Sequence, residues 1–137
     1  MSKRFSSTTG TIDETTGRLE TTPILGAPFW RVGVKVAGVY ARSFTTAVGE
    51  CYEFMAANTF HVMIGPDGKV AEKGIEKAVT RFAMGALTGF EIAMQRLDGF
   101  EGFKYGDQVV IECNGFQKSQ IEGQSDMPLF KLDVVRP

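Results

Sequence analysis

Residues 105–115, which read YGDQVVIECNG, contain the clearest strand pattern in the sequence. The Gly-Asp pair near the start of this stretch and the Asn-Gly pair at its end are both typical of turns. Between these turns, the apolar residues at 109, 111 and 113 alternate with a second set at the two-residue period of a half-buried strand. The stretch therefore predicts a strand that buries Ile111 and turns Glu112 outward. A single strand of this kind needs neighbours.

The neighbouring segments supply a helix and further strands. Apolar residues at 90, 93, 94 and 97 form one stripe of a short helix that begins near position 88. Alternation predicts four more strands, over residues 29–42, 50–57, 79–84 and 129–135. Gly38 interrupts the first of them. A glycine at such a position is typical of a bulge or bend that lets one strand serve two sheets and switches the face of its side chains.

The chain of 137 residues has room for one domain. Residues 1–27 are rich in Ser, Thr and Gly without a sustained period, which predicts a flexible N-terminal arm. The domain then spans residues 28–137. Within it, residues 58–77 contain strong turn signals and predict an inserted hairpin or long loop between the second and third strands.

The bulk composition excludes several classes of protein. A net charge of -1 and a pI near 5.8 give no overall basic footprint for nucleic acid. Membrane-length apolar runs and the apolar middle of a signal peptide are both missing, so we expect no membrane partner. We expect a cytoplasmic protein, in the host cytoplasm if the chain is viral. Cys51 and Cys113 lie in predicted strands, where buried reduced thiols are favoured over a disulfide.

Residues suited to catalysis are few. His61 is the only histidine and there are two cysteines, so the sequence lacks the ligands for a zinc site built from Cys and His. It also lacks a Walker-type glycine motif, and neither cysteine has the basic context that would activate it. We therefore expect no enzyme activity, no metal site and no cofactor.

Five predicted strands with one helix between the third and the fourth follow the order of an OB-fold, a five-stranded Greek-key β-barrel of the all-β class. Over residues 30–135 the chain resembles the OB-fold single-stranded-DNA-binding proteins of phages and related mobile elements. The segments that carry the resemblance are Val36–Tyr40, Tyr52–Phe54, Met84–Leu97, Tyr105–Ile111 and Phe130–Leu132. The C-terminal residues DVVRP lack the acidic tail that many of these proteins carry.

Binding of a single strand requires aromatic faces on which bases stack and cations that follow the phosphates. The candidate nucleic-acid-binding residues are Arg42, Phe44, Tyr52, Arg81, Phe82, Phe116 and Lys118. We expect Arg42 and Phe44 in the loop after the first strand, and Phe116 and Lys118 in the loop between the last two strands. A second interpretation is open for the strand phenylalanines. The residues Phe54, Phe82, Phe90 and Phe130 all lie on plausible inward faces.

The leading hypothesis is binding of single-stranded DNA with little sequence preference, as an accessory to replication or recombination. The alternative is a protein-interaction or assembly module on the same OB-fold, because a fold does not determine a function. A small-ligand or oligosaccharide site at the barrel mouth is a third option. The near-neutral charge favours the interaction module, whereas the pairing of arginine with aromatic residues favours DNA. The sequence leaves open RNA in place of DNA, and a homo-oligomer.

Overall fold

The computed structural model describes residues 22–47, 49–85, 88–123 and 126–137. Most of the predicted N-terminal arm, up to position 21, lies outside these residues.

One antiparallel sheet of five strands forms the body of the described structure. Its strands are β1 (Lys35–Thr46), β2 (Gly49–Ile64), β3 (Ile75–Met84), β4 (Gln108–Gln117) and β5 (Met127–Val135), and the helix α1 (Thr88–Gln95) lies between β3 and β4. The order across the sheet is β3-β2-β1-β4-β5. Within the described residues the outer strands β3 and β5 do not pair, so the sheet is not closed. The prediction of an all-β fold with one helix is confirmed.

Strand β1 is central and has a neighbour on each side. Residues Lys35–Val39 pair with β4 and residues Gly38–Thr46 pair with β2, so the two ladders overlap at Gly38 and Val39. The predicted irregularity is present, but it lies between Tyr40 and Arg42 rather than at Gly38. Because β1 has one extra residue there, Tyr40 is buried in the core and Arg42 is exposed on the opposite face. Gly38 instead allows a close approach, since a Cβ at that position would lie 2.7 Å from the carbonyl oxygen of Met55.

The hairpin formed by β2 and β3 contains the segment predicted as an insertion. Strand β2 continues to Ile64 and β3 begins at Ile75, so residues 58–77 are the far end of this hairpin. Pairing between the two strands is irregular between Met55 and Phe60 of β2. This irregularity breaks the alternation, which is why the sequence pattern ends the second strand too early.

The core lies on one face of the sheet and is rich in aromatic rings. The phenylalanines predicted to face inward, Phe54, Phe82, Phe90 and Phe130, are all buried. Ile111 is fully buried as well, which confirms the predicted inner face of β4. Cys51 and Cys113 are buried and free.

Residues 22–27 belong to the packed structure, although the sequence pattern assigns them to the arm. Leu25 is fully buried, and its carbonyl oxygen accepts a hydrogen bond from Nε1 of Trp30 at 3.1 Å. The N–H of Leu25 donates to the carbonyl of Ala83 in β3, and the N–H of Ala83 donates to the carbonyl of Pro23, both at 2.9 Å. This segment therefore covers part of the outer edge of β3, and the packed domain begins before the predicted boundary.

Helix α1 packs against β5. Gly89 lies directly against the backbone carbonyl of Pro128, where a side chain would not fit. The helix ends at Gln95, so Leu97, the last residue of the predicted stripe, packs on the core from the turn that follows. No helix in the described ranges is both long and apolar enough to cross a membrane.

A buried ion pair holds the turn that precedes β4. The two carboxylate oxygens of Asp107, which is fully buried, accept hydrogen bonds from Nε and Nη2 of Arg136 at 2.8 and 2.9 Å. The backbone N–H of Lys104 donates to the same carboxylate at 2.8 Å. The hydrogen bonds from Arg136 lower the pKa of Asp107, against the opposing effect of burial, and the same contact raises the pKa of Arg136. The predicted Gly-Asp turn is therefore bound to the end of β5.

Candidate nucleic-acid interface

Two of the predicted contact residues, Arg42 and Arg81, meet at one carboxylate. Glu53 of β2 pairs with Arg42 of β1 on one side and with Ala83 of β3 on the other, two residues from Arg81. Nη2 of Arg42 lies 3.3 Å from Oε1 of Glu53, and Nη1 of Arg81 lies 3.8 Å from Oε2. The hydroxyl of Thr22 donates to Oε1 at 3.3 Å. We call the side chains of Arg42, Glu53 and Arg81 the arginine cluster.

The arginine cluster carries two positive charges and one negative charge. The side chain of Glu53 is 3% exposed, whereas those of Arg42 and Arg81 are 42% and 32% exposed. A carboxylate this deeply buried is stabilised by cationic partners, and it holds their side chains in return. The half-exposed side chain of Arg42 is thereby held at the surface, where an anionic group from solvent can reach it.

Phe44 lies beside the arginine cluster. It belongs to β1 and not to the predicted loop, because β1 continues to Thr46 and a tight turn leads into β2 at Gly49. The guanidinium carbon of Arg42 is 5.6 Å from the centroid of the Phe44 ring, within the range of a cation–π contact. Phe44 is half-buried. A cation and an aromatic ring thus lie two residues apart on one face of β1.

Phe82 and Tyr52 lie on the core side of the sheet. Phe82 is fully buried and stacks on Phe54 at a centroid distance of 5.2 Å. It has no exposed face on which a base could stack, so its predicted role is corrected to that of a core residue. Tyr52 packs its ring against Phe90 and Phe103 at 5.9 and 5.6 Å. Burial, and then the nearby carboxylates of Glu50 and Glu91, raise the pKa of Tyr52.

Phe116 and Lys118 lie at the end of β4. Phe116 is the partner of Pro128 within the β4–β5 ladder, so it lies in a strand and not in the predicted loop. The register of this ladder shifts between Cys113 and Gly115, which places Phe116 on the same side as the buried Pro128. Phe116 is 36% exposed at the rim of the core side, whereas Phe44 lies on the outer side. Lys118 is exposed where the connection to β5 begins.

An exposed row that the sequence pattern does not predict crosses the outer face. The four ladders align one residue from each strand, in the order Arg81, Met55, Val39, Gln108 and Val135. We call these five residues the outer row. Its apolar members Met55, Val39 and Val135 are 41%, 37% and 61% exposed. Alternation within a single strand shows which residues face outward, but only the register between strands shows that they line up.

The chain matches no family model, no curated protein and no solved structure. In the part of the chain that the structure describes, no group of three or more His, Cys, Asp or Glu side chains could hold a metal ion. The geometry of the outer face therefore carries the functional assignment.

Proposed function

We propose that the chain is an OB-fold protein that binds single-stranded DNA with little sequence preference through the outer face of β1, β2 and β3. It would act in the cytoplasm as an accessory to replication or recombination in a phage or mobile element. The observation that carries this proposal is the position of Phe44 beside Arg42, whose guanidinium is held by the buried Glu53.

This arrangement supplies both parts of a sequence-tolerant site. A base can stack on the exposed part of Phe44, because every base has an aromatic face. A phosphate next to that base can be bound by Arg42, whose charge attracts the strand to this face. Neither contact reads the edge of a base, so little sequence preference is expected.

The topology supports the OB-fold part of the proposal. Strand β1 pairs with both β2 and β4, as a strand that bends between two layers of a barrel does. The outer strands β3 and β5 are the two that would have to meet to close the sheet into a barrel. The helix follows β3, in the position that an OB-fold requires.

The test is a titration of the full chain with a thirty-base oligo-dT. We expect Phe44→Ala to weaken binding by about 1–3 kcal/mol, the usual contribution of one stacked base, without lowering the melting temperature much. We expect Arg42→Ala to reduce the slope of log K against log salt by about 0.7, the value for one phosphate of a single strand.

Two exposed residues away from the proposed face provide matched controls. Tyr105 is 85% exposed in the turn before β4, and Lys131 is exposed on β5. Tyr105→Ala and Lys131→Ala should leave the affinity and the salt slope unchanged. Phe116→Ala should also have no effect, because Phe116 lies on the other side of the sheet. If the unmodified chain does not bind oligo-dT at micromolar concentration and low salt, the DNA proposal is rejected.

The outer row favours a second candidate function, a protein-interaction module. Met55 and Val39, two partly exposed apolar side chains, are direct neighbours at the centre of this row and offer an apolar contact to a partner. On this proposal a partner protein packs on Met55 and Val39 at the centre of the face. Met55→Ser would then abolish capture of that partner. The unmodified chain would bind oligo-dT only weakly, and Phe44→Ala would not change that affinity.

A further inference from the structure

A groove opens where β1 and β2 separate. Pairing between the two strands ends at Gly38 and Ala56. From there β1 continues beside β4 towards Lys35, and β2 continues beside β3 towards Ile64. The space between them has a volume of about 450 Å³, which lies within the range of about 300–1,000 Å³ of ligand pockets. Its walls are the residues on either side that would have paired if the ladder had continued.

The β1 wall of the groove presents unpaired backbone groups. The carbonyl of Val34 accepts from the N–H of Cys113 in β4, and the N–H of Tyr40 donates to the carbonyl of Asp107 just before β4. Since the backbone groups of successive strand residues point to opposite sides, the even-numbered residues of this stretch bond towards β4. The N–H and C=O groups of Lys35 and the N–H of Ala37 therefore point into the groove, whereas the C=O of Ala37 belongs to the last rung of the ladder with β2. No strand in the described ranges pairs with this edge.

The β2 wall is open in the same way. Residues 57–59 lie beyond the last pair with β1 and within the irregular part of the ladder with β3. Two strand edges thus face each other across the groove without a strand between them. An exposed edge of this kind is a template for an extended polypeptide.

The side chains of the groove differ between its two faces. Phe29, Phe60 and the buried Val36 make the core side apolar. On the outer side lie Lys35 and His61, both exposed. The side chain of Lys35 is 59% exposed, and its ammonium lies 3.9 Å from the carboxylate of Glu112, a long contact at the surface. None of the described residues that line the groove is acidic.

We propose that this groove binds an extended segment of a partner protein by strand addition between β1 and β2. The bound segment pairs its backbone with the N–H and C=O groups of Lys35 and with the N–H of Ala37. Its alternate side chains are apolar, towards Phe29 and Phe60, and acidic, towards Lys35. A nucleic acid fits these walls less well, because its backbone does not supply alternating N–H and C=O groups at the spacing of a strand. This inference is independent of the proposed DNA-binding face, which lies on other residues.

Hydrogen exchange of the full-length chain, followed residue by residue by NMR, tests the proposal. Without a ligand, the amides of Val36 and Gly38 should exchange slowly because they bond to β4, and those of Lys35 and Ala37 should exchange fast. The probe is a blocked synthetic pentapeptide, acetyl-Asp-Val-Asp-Val-Asp-amide. At a peptide concentration ten times the dissociation constant, exchange at Lys35 and Ala37 should slow by about elevenfold, since only the free fraction exchanges.

Two controls separate backbone pairing from general adhesion. The same peptide with N-methylated valines keeps its side chains but loses two backbone donors, so it should give no protection. In the chain, Ala37→Pro removes a donor that points into the groove and leaves the bonds to β4 intact, so it should weaken peptide binding at least tenfold. Ala37→Ser retains the N–H group and should bind the peptide as the unmodified chain does.

Three results would overturn the proposal. Slow exchange at Lys35 and Ala37 in the free chain would mean that the edge is already paired. Equal protection by the N-methylated peptide, or no protection by either peptide at millimolar concentration, would exclude strand addition. Protection of the same amides by oligo-dT and not by peptide would assign the groove to nucleic acid.

Discussion

Among the described residues, two buried carboxylates are held by arginine, and they are held in different ways. Asp107 has one arginine partner, Arg136, which binds both carboxylate oxygens at 2.8 and 2.9 Å. Glu53 has two partners, Arg42 and Arg81, at the longer distances of 3.3 and 3.8 Å. The first group joins one carboxylate to one guanidinium, whereas the second joins one carboxylate to two.

The difference separates a structural ion pair from a surface that can bind an anion. Nη2 of Arg136 also donates a hydrogen bond to the carbonyl oxygen of Gly102 at 3.1 Å. Arg136 therefore connects the segment after β5 with the segments at Gly102 and Asp107. Arg42 instead contacts the ring of Phe44 and is half-exposed. The same two chemical groups, a carboxylate and a guanidinium, therefore fix the end of β5 in one place and orient a cation towards solvent in the other.

The largest effect on stability is expected for a new buried carboxylate that has no arginine partner. Ile111→Asp puts such a group on the core side of β4, where Ile111 is fully buried. Its desolvation costs several kcal/mol, which is comparable with a total stability of about 5–15 kcal/mol. Circular dichroism should show an unfolded chain at neutral pH. Glu112→Gln, at the next position, should melt like the unmodified chain, and equal melting of the two variants would contradict the face assignment of β4.

The next effect concerns the Asp107–Arg136 pair. Arg136→Ala leaves the buried Asp107 carboxylate without its cation and should lower the melting temperature by several degrees at neutral pH. The pair lowers the pKa of Asp107, so its stabilising effect is complete above the unfolded value of about 3.9 and is lost as the pH falls through the folded pKa. The difference in melting temperature between the two chains should therefore shrink below about pH 4. A difference that stays constant down to pH 2 would mean that Arg136 stabilises the chain by packing alone.

Much of the fold can be predicted from the sequence because the spacing of apolar residues indicates which side chains are buried. The pattern around Ile111 predicts the inner face of β4, and the apolar stripe after β3 predicts the helix. The four inward phenylalanines are predictable for the same reason. Leu25 and Trp30 are not, because both enter the core from irregular segments before β1, although alternation predicts a strand from residue 29.

The candidate site is less predictable, since it depends on register. The extra residue between Tyr40 and Arg42 moves Arg42 to the outer face, but no special residue type marks it. Gly38, where the sequence pattern predicts the bulge, instead allows a close contact with β2. Glu53 is predictable as an outward residue of β2. Its burial depends on Thr22 and on two arginines from other strands, which only the folded chain brings together.

The smallest effect tests whether the excess charge of the arginine cluster matters for binding. Glu53→Gln keeps the shape of the side chain and removes the only negative charge of the cluster. A unit charge about 6 Å from a phosphate, in a medium as polar as water, is worth about 0.7 kcal/mol, so oligo-dT should bind about threefold more tightly. Glu112→Gln makes the same chemical change on β4, away from the cluster, and should leave the affinity unchanged. Weaker binding by Glu53→Gln would show instead that the carboxylate acts mainly by holding Arg42 in position. If the two variants bind oligo-dT with equal affinity, the charge of Glu53 has no specific effect on DNA binding. The arginine cluster would then be a structural ion pair like that of Asp107.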